Sequence, residues 1–142
     1  YTDPRDTRGD FAYNAIRVFW RVALDELLNP PQKKMDVASQ VLKDIDFLPR
    51  YYAVHGRFPG PLTVDGIERN PGELSSLAVY GATLPAVARY NPAMAEDILN
   101  RYVRPGLQSD TTDYYAQNWL WFGLALGTAY SVAVKQGQTE AA

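Results

Sequence analysis

Acid–base and metal chemistry must come from a small set of side chains in this sequence. The 142 residues include no cysteine and a single histidine, His55. Thiolate chemistry, disulfides and cysteine zinc sites are therefore excluded, and we predict neither a metal site nor a cofactor. A Ser-His-Asp mechanism would have to use His55, which precedes a glycine in a predicted loop.

Carboxylates and aromatic rings are the other groups of interest. Asp10, Asp110 and Asp113 lie at predicted helix starts, where a capping role is the simplest interpretation. Aromatic residues make up 13% of the chain, with ten tyrosines and three tryptophans. Such rings are used in sugar-binding clefts, but an aromatic core is the default interpretation. Tyr114 and Tyr115 lie near the start of a predicted inner helix, where a ring could stack on a sugar face, and one of the two could be a core residue.

Five helices and one long loop must position these groups. The predicted helices cover residues 10–28, 32–52, 73–90, 91–103 and 110–135. Asp10 caps the first helix and Asn91 the fourth, and Arg104-Pro105-Gly106 breaks the chain after the fourth. The loop over residues 55–72 contains Asp65-Gly66, which indicates a short hairpin. Residues 136–142 are predicted to be a frayed tail.

The fifth predicted helix has no charged residue over positions 114–134, a length that could span a bilayer. Gly123, Gly127 and Ser131 form a small-residue stripe of the kind used in membrane helix packing. The same stripe lets buried helices of a soluble fold approach closely, and the segment is rich in amides, hydroxyls and tyrosines. We therefore predict a core helix and no membrane span.

Two of these helices are apolar on all sides, the first and the fifth, whereas the second and fourth have one apolar face. This difference predicts an all-α fold with inner and outer layers. The net charge of −2 is spread along the chain without blocks. No nucleic acid or anionic membrane is expected as a partner.

Residues 11–21, Phe-Ala-Tyr-Asn-Ala-Ile-Arg-Val-Phe-Trp-Arg, resemble the motif Tyr-Asp-Ala-x-Arg-x-x-x-Arg of family 8 glycoside hydrolases. Three later stretches are similar to segments of that family in order and spacing: 56–61, 75–78 with Leu84-Pro85, and 113–123. The resemblance covers nearly the whole chain.

The resemblance implies an (α/α)₆ barrel whose inner helices carry a polysaccharide cleft across one end. Residues 1–142 would be the C-terminal portion of one catalytic domain, and the N-terminal remainder of the barrel would be its partner. The implied activity is inverting, endo-acting hydrolysis of a β-1,4-linked glucan, with mixed-linkage glucan and chitosan as other substrates. The family's acid glutamate is expected outside this chain. Because Tyr1 is not a natural start, an upstream segment is expected, and a secreted or periplasmic location fits the absence of cysteine.

Asn14 stands where the best-known subgroup of this family has its catalytic aspartate. A neutral amide cannot take a proton from water near neutral pH. The chain therefore belongs to an asparagine subgroup, is an inactivated variant, or is a pseudoenzyme, and we favour the first. Tyr13 is the expected cleft wall, and Arg17, one helical turn away, would orient Asn14 or form a structural ion pair.

A displaced base would then have to be another carboxylate. Asp10 and Asp113 are the leading candidates, and Glu68 and Glu73 are weaker ones. The competing hypothesis is a toroid that binds polysaccharide, or assists its export, without cleaving it. Asn14 and the missing acid glutamate motivate that alternative.

Substituting Asn14→Asp separates these interpretations in one reducing-end assay on the complete protein. In an inactivated aspartate-type enzyme the new carboxylate restores hydrolysis by about 10²–10⁴-fold. In an asparagine subgroup, which we expect, activity falls or stays flat, and Asp10→Asn or Asp113→Asn is the damaging change. A large gain from Asn14→Asp would contradict this expectation.

Overall fold

The computed structural model describes residues 10–12, 15–29, 40–41, 43, 46–63 and 66–140, and their side chains as far as residue 129. Its helices are α1 Ile16–Leu28, α2 Phe47–His55, α3 Leu77–Tyr90, α4 Pro92–Ile98, α5 Arg104–Gln108 and α6 Tyr114–Glu140, with a π-helical turn Leu99–Val103 between α4 and α5. Within these ranges the only β-structure is isolated bridges. The predicted all-α class is confirmed.

Local capping signals set three of the helix starts. The Ser76 hydroxyl accepts the Ala78 N–H at 3.3 Å at the start of α3. Asn91 Oδ1 accepts the Met94 N–H at 3.1 Å and Pro92 follows it, as predicted for α4. Asp113 Oδ1 accepts the Ala116 N–H at 2.8 Å, which confirms its capping role for α6. Each side chain satisfies an N–H group that has no partner within the helix.

The first helix begins at Ile16, so the predicted start at Asp10 is wrong. Phe11 instead exchanges backbone hydrogen bonds with Leu62, at 2.8 and 3.2 Å. The Asp10 carboxylate pairs with Arg69, a residue of the loop that is distant in sequence.

The Arg104-Pro105-Gly106 segment does not break the chain, contrary to the prediction. The Arg104 N–H reaches Leu99 O, a π-type hydrogen bond, and α5 follows with Pro105 in its first turn. A proline in a first turn removes no hydrogen bond that the helix would otherwise make. Gly106 is buried against Leu120, where an added Cβ would lie 2.8 Å from Cδ1. Gly106 therefore allows α5 to pack closely against Leu120 and does not end the helical segment.

The second predicted helix is described only in part, because residues 30–39 lie outside the described ranges. Its described end, α2, continues to His55, so His55 is in the last turn and not in a loop. Pro49 lies in the first turn of α2 and does not end it. Gly56 follows with φ of 65°, the left-handed conformation that commonly ends a helix. The backbone bond from Thr63 N to Ile67 O closes the turn at the predicted hairpin.

Helices α3 and α6 pack in the same direction through two glycines. A Cβ added to Gly123 would lie 2.0 Å from Gly81 O, so the two backbones are in direct contact. Further along both helices, a Cβ on Gly127 would lie 3.4 Å from Leu84. The contacting positions increase in number together along the two helices. The helices are therefore parallel, and the N-termini of α3 and α6 lie at the same end. No helix in the described ranges is long and apolar enough to cross a membrane.

Helix α1 joins this pair in the same direction. Trp20 Nε1 donates to Phe122 O of α6 at 3.0 Å. Near the other end of α1, the buried Glu26 pairs with Arg89 of α3 at 3.2 Å. Three parallel helices therefore begin on the same side of the core, which is the side that the loop over residues 57–76 covers.

The two glycines of α6 give a stability test. Gly123→Ala should destabilise the protein by about 3 kcal/mol, because its methyl group would meet the Gly81 backbone. Gly127→Ala is the matched control and should stay within about 1 kcal/mol of wild type, since it meets only a flexible leucine and gains helix propensity. Urea unfolding measures both. Equal effects of the two substitutions would contradict the close approach.

Candidate functional site

Two adjoining cavities lie at the end where α1, α3 and α6 begin. The first, the Glu73 cavity, has a volume of about 190 Å³ and is lined by Phe11, Ala12, residues 59–61, residues 73–76 and Val79. The second, the Arg101 cavity, has a volume of about 430 Å³ and is lined by Ser76, Leu77, Arg101, Tyr102, Pro105, Gly106, Ser109, residues 111–113 and Ala116. Ser76 lines both, so the two cavities adjoin at the start of α3, and we call the pair the N-terminal cleft.

Within the motif over residues 11–21, Tyr13 and Asn14 lie outside the described residues. Their neighbours on either side are described. Ala12 lines the Glu73 cavity, and its carbonyl accepts the Ala15 N–H at 2.9 Å just before α1. Arg17 lies on the first turn of α1 and is exposed. Its pairing with Asn14 stays a prediction.

Asp10 is tied to the loop that forms the cleft wall. Arg69 Nε donates to Asp10 Oδ2 at 2.7 Å and Nη2 donates to Oδ1 at 2.8 Å. The two side chains are 7% and 24% exposed. A bidentate, largely buried pair of this kind fixes orientation as well as distance. Asp10 therefore holds the segment before Tyr13 against the loop.

The start of α6 contributes a carboxylate and two tyrosines. Asp113 uses Oδ1 as the helix cap and lines the Arg101 cavity. Tyr114 is 85% exposed, so its ring is open to a ligand or partner. Tyr115 is half-buried and packs edge-on against Trp119, with ring centroids 6.3 Å apart. The stacking of either ring on a sugar stays a prediction.

Glu73 is the carboxylate that lines the first cavity. Asn70 Nδ2 donates to Glu73 Oε2 at 2.6 Å, and the Glu73 backbone carbonyl accepts the Gly60 N–H at 3.1 Å. The side chain is exposed to solvent. This arrangement fixes a carboxylate at the cavity wall while leaving it accessible.

Glu68, the other weaker candidate, is engaged elsewhere. It accepts hydrogen bonds from the Tyr51 hydroxyl and from the Gly72 N–H, the latter at 2.9 Å. These bonds lower the pKa of the Glu68 carboxyl, with a smaller contribution from Arg57. The His55 ring contacts the Tyr51 ring in a tilted arrangement, with ring centroids 4.1 Å apart. Glu68 therefore anchors the loop and does not line either cavity.

Hydrogen bonds and ring contacts of a group of tyrosines support the loop that forms the cleft wall. The buried Tyr80 hydroxyl accepts the Phe58 N–H at 3.1 Å, and burial raises the pKa of Tyr80 to about 12. Tyr102 stacks on Tyr80 at 4.0 Å and donates to Gly56 O at 2.7 Å. Tyr52 donates to Asp97 at 2.6 Å, which lowers the pKa of that carboxyl. The hydrogen bonds of Tyr80 and Tyr102 to Phe58 and Gly56 hold the start of the loop.

Sequence reasoning missed Ser76, Arg101 and Thr111 as cleft residues. Ser76 carries only an ordinary capping signal, and Arg101 and Thr111 become neighbours of Ser76 through long-range packing. Over the described part of the chain, no cluster of three or more histidine or carboxylate side chains could hold a metal ion.

Removing the Arg69 side chain tests the contribution of the Asp10–Arg69 ion pair to stability. Arg69→Ala should lower the free energy of unfolding by about 2 kcal/mol, because it leaves a buried carboxylate without its bidentate partner. The matched control is Arg50→Ala, whose partner Asp46 lies one turn away and whose side chain is 73% exposed. That change should cost less than about 1 kcal/mol. Similar losses of unfolding free energy for the two variants, measured by urea unfolding, would contradict a stabilising role of the Asp10–Arg69 ion pair.

Comparison with protein-family models, with characterised proteins and with solved structures finds no match to this chain. Function must therefore be argued from the cleft and from the motif over residues 11–21. The residues that line the two cavities include an accessible glutamate, an arginine and several hydroxyl side chains. These groups suit a ligand rich in hydroxyl groups.

Proposed function

We propose that this chain is part of an inverting, endo-acting hydrolase of β-1,4-linked glucan, and that the N-terminal cleft holds its substrate. The observation that carries the proposal is that the two cavities adjoin at Ser76. Adjoining cavities accommodate several sugar residues of one chain, whereas an isolated pocket would accommodate one. Endo-acting hydrolysis needs such a cleft.

The direction of the helices supports the same proposal. In an (α/α)₆ barrel, which the resemblance implies, parallel inner helices share one end and the substrate lies across it. Helices α1, α3 and α6 run parallel, and the cleft lies where they begin. The remaining hairpins, with the acid glutamate, would come from the N-terminal part of the barrel. A secreted or periplasmic location belongs to this proposal, because polysaccharide is met there.

We further propose Glu73 as the general base. Inversion requires a carboxylate that activates water on one ring face while an acid protonates the leaving oxygen on the other. Asp10 is held by Arg69, and Asp113 uses one oxygen as a helix cap. Glu73 is accessible, lines the cavity beside Ala12 and is oriented by Asn70. It meets the chemical requirement better than either aspartate.

A non-catalytic binding role is the second candidate. It is favoured by the pairing of Asp10, since that carboxylate cannot replace the one missing at Asn14 without breaking its bond to Arg69. A cleft that keeps its hydroxyls and aromatic rings but lacks a base would hold a glucan without cleaving it. Export or scaffolding of polysaccharide would fit such a protein.

Reducing-end release from soluble cellulose derivative, lichenan and chitosan by the complete protein tests the activity. With Glu73→Gln, kcat should fall by about 10²–10⁴-fold while KM changes little, because the amide cannot accept a proton. Glu96→Gln, an exposed position on α4, is the matched control and should keep wild-type rates.

Three results would change the assignment. Hydrolysis that Glu73→Gln leaves intact would place the base elsewhere. Oligosaccharide binding without turnover by the wild-type protein would favour the binding role. Neither binding nor turnover would contradict both functions.

A further inference from the structure

A third cavity lies toward the C-terminal end of α3, where residues of α1, α2, α3 and α4 meet. We call it the Tyr90 cavity, and its volume is about 410 Å³. Its apolar lining includes Phe19, Pro49, Ala53, Val87, Tyr90 and Met94. None of its described lining residues lines the Glu73 cavity or the Arg101 cavity. The Tyr90 cavity is therefore separate from the N-terminal cleft.

Apolar side chains dominate the lining of the Tyr90 cavity. Phe19 and Val87 are buried, whereas Ala53 and Tyr90 are exposed. The cavity is therefore open to solvent and reaches buried apolar side chains. An alkyl chain placed against them would leave water together with the surface that it covers, which is favourable in proportion to the apolar area. The volume lies in the range of about 300–1,000 Å³ that is usual for small-molecule sites.

Charged side chains of the lining favour one kind of head group. They are Lys43, Asp46 and Arg50. Arg50 Nη2 lies 2.8 Å from Asp46 Oδ1, so these two charges compensate each other. Lys43 is exposed and forms no ion pair with any residue that the structure describes. A carboxylate beside Lys43 would gain a cationic partner, whereas an ammonium group would be repelled there.

We propose that the Tyr90 cavity binds a free medium-chain carboxylate, a ligand with an alkyl chain and one anionic head group. The chain lies against Phe19 and Val87, and the carboxylate lies beside Lys43. A hydrophilic anion would gain nothing from the apolar lining, and a neutral hydrocarbon would gain nothing from Lys43. The inference does not depend on the proposed hydrolase, because the Tyr90 cavity shares no described lining residue with the cleft.

Titration calorimetry of the complete protein with decanoate, decanol and decylamine, below their micelle concentrations, tests the head-group preference. The three probes share one alkyl chain and differ only in charge. Lys43→Glu should weaken decanoate binding by about tenfold, strengthen decylamine binding and leave decanol within about twofold of wild type. Arg104→Glu is the matched control, since it makes the same charge change at an exposed arginine that does not line the cavity. It should leave all three probes within about twofold of wild type.

Filling the cavity tests where the alkyl chain lies. Ala53→Trp adds a large ring at an exposed lining position of α2 and should weaken decanoate and decanol binding by about tenfold or more. Ala125→Trp, at an exposed position of α6 outside the lining, is the matched control and should bind both probes as wild type does. Urea unfolding of each variant checks that it is folded. Cellohexaose should not displace decanoate, because the two ligands occupy different cavities.

Four results would overturn the proposal. They are no binding of decanoate, equal effects of Lys43→Glu on decanoate and decanol, binding that survives Ala53→Trp in a folded protein, and displacement of decanoate by cellohexaose. Sedimentation analysis covers the remaining occupant. A dimer that Ala53→Trp dissociates would assign the Tyr90 cavity to a second copy of the protein and would also overturn the proposal.

Discussion

The contact between the backbones of Gly81 and Gly123 constrains the rest of the structure. A Cβ at either position would overlap main-chain atoms of the opposite helix, at 2.3 Å for Gly81 and 2.0 Å for Gly123. Such an approach fixes the spacing and the register of α3 and α6, because sliding either helix would bring larger side chains into the contact. The register in turn places Ser76 and Asp113, the caps of these helices, at the same end of the core. The cleft forms at this end because the N-termini of α3 and α6 lie side by side there.

The loop that closes this end is held by polar contacts, not by a sheet. Asp10 and Arg69 tie it to the segment before α1, and Tyr80 and Tyr102 hold it from the core side through Phe58 and Gly56. Because several partners come from different helices, the described part of the loop is fixed although its only β-structure is isolated bridges. These contacts hold the loop that carries the accessible Glu73 carboxylate, which we propose as the general base.

Features that depend on neighbours in sequence were predictable. Asn91 with Pro92, and Asp113, start helices as their residue types indicate, and the uncharged stretch after Tyr114 forms one long helix. The stripe containing Gly123 was interpreted correctly as close packing between core helices. Each of these conclusions needs only a few adjacent residues and the helical period.

Features that depend on distant partners were not predictable from the sequence. Asp10 looks like a cap, but its carboxylate pairs with Arg69, 59 positions away. Gly106 looks like a breaker, yet it makes room for Leu120 of α6. Arg101 was not predicted as a site residue, because only tertiary packing brings the π-helical turn beside Ser76.

The central claim is that the shared N-terminal end of three parallel helices forms one polysaccharide cleft. Amide hydrogen exchange of the complete protein, with and without cellohexaose, tests it most directly, because exchange reports contacts whether or not the bond is cleaved. The account predicts slower exchange at residues 73–76 and at residues 101–113 together, with no change at the opposite end of α3. Protection that is absent, or that appears only away from these two segments, would contradict it.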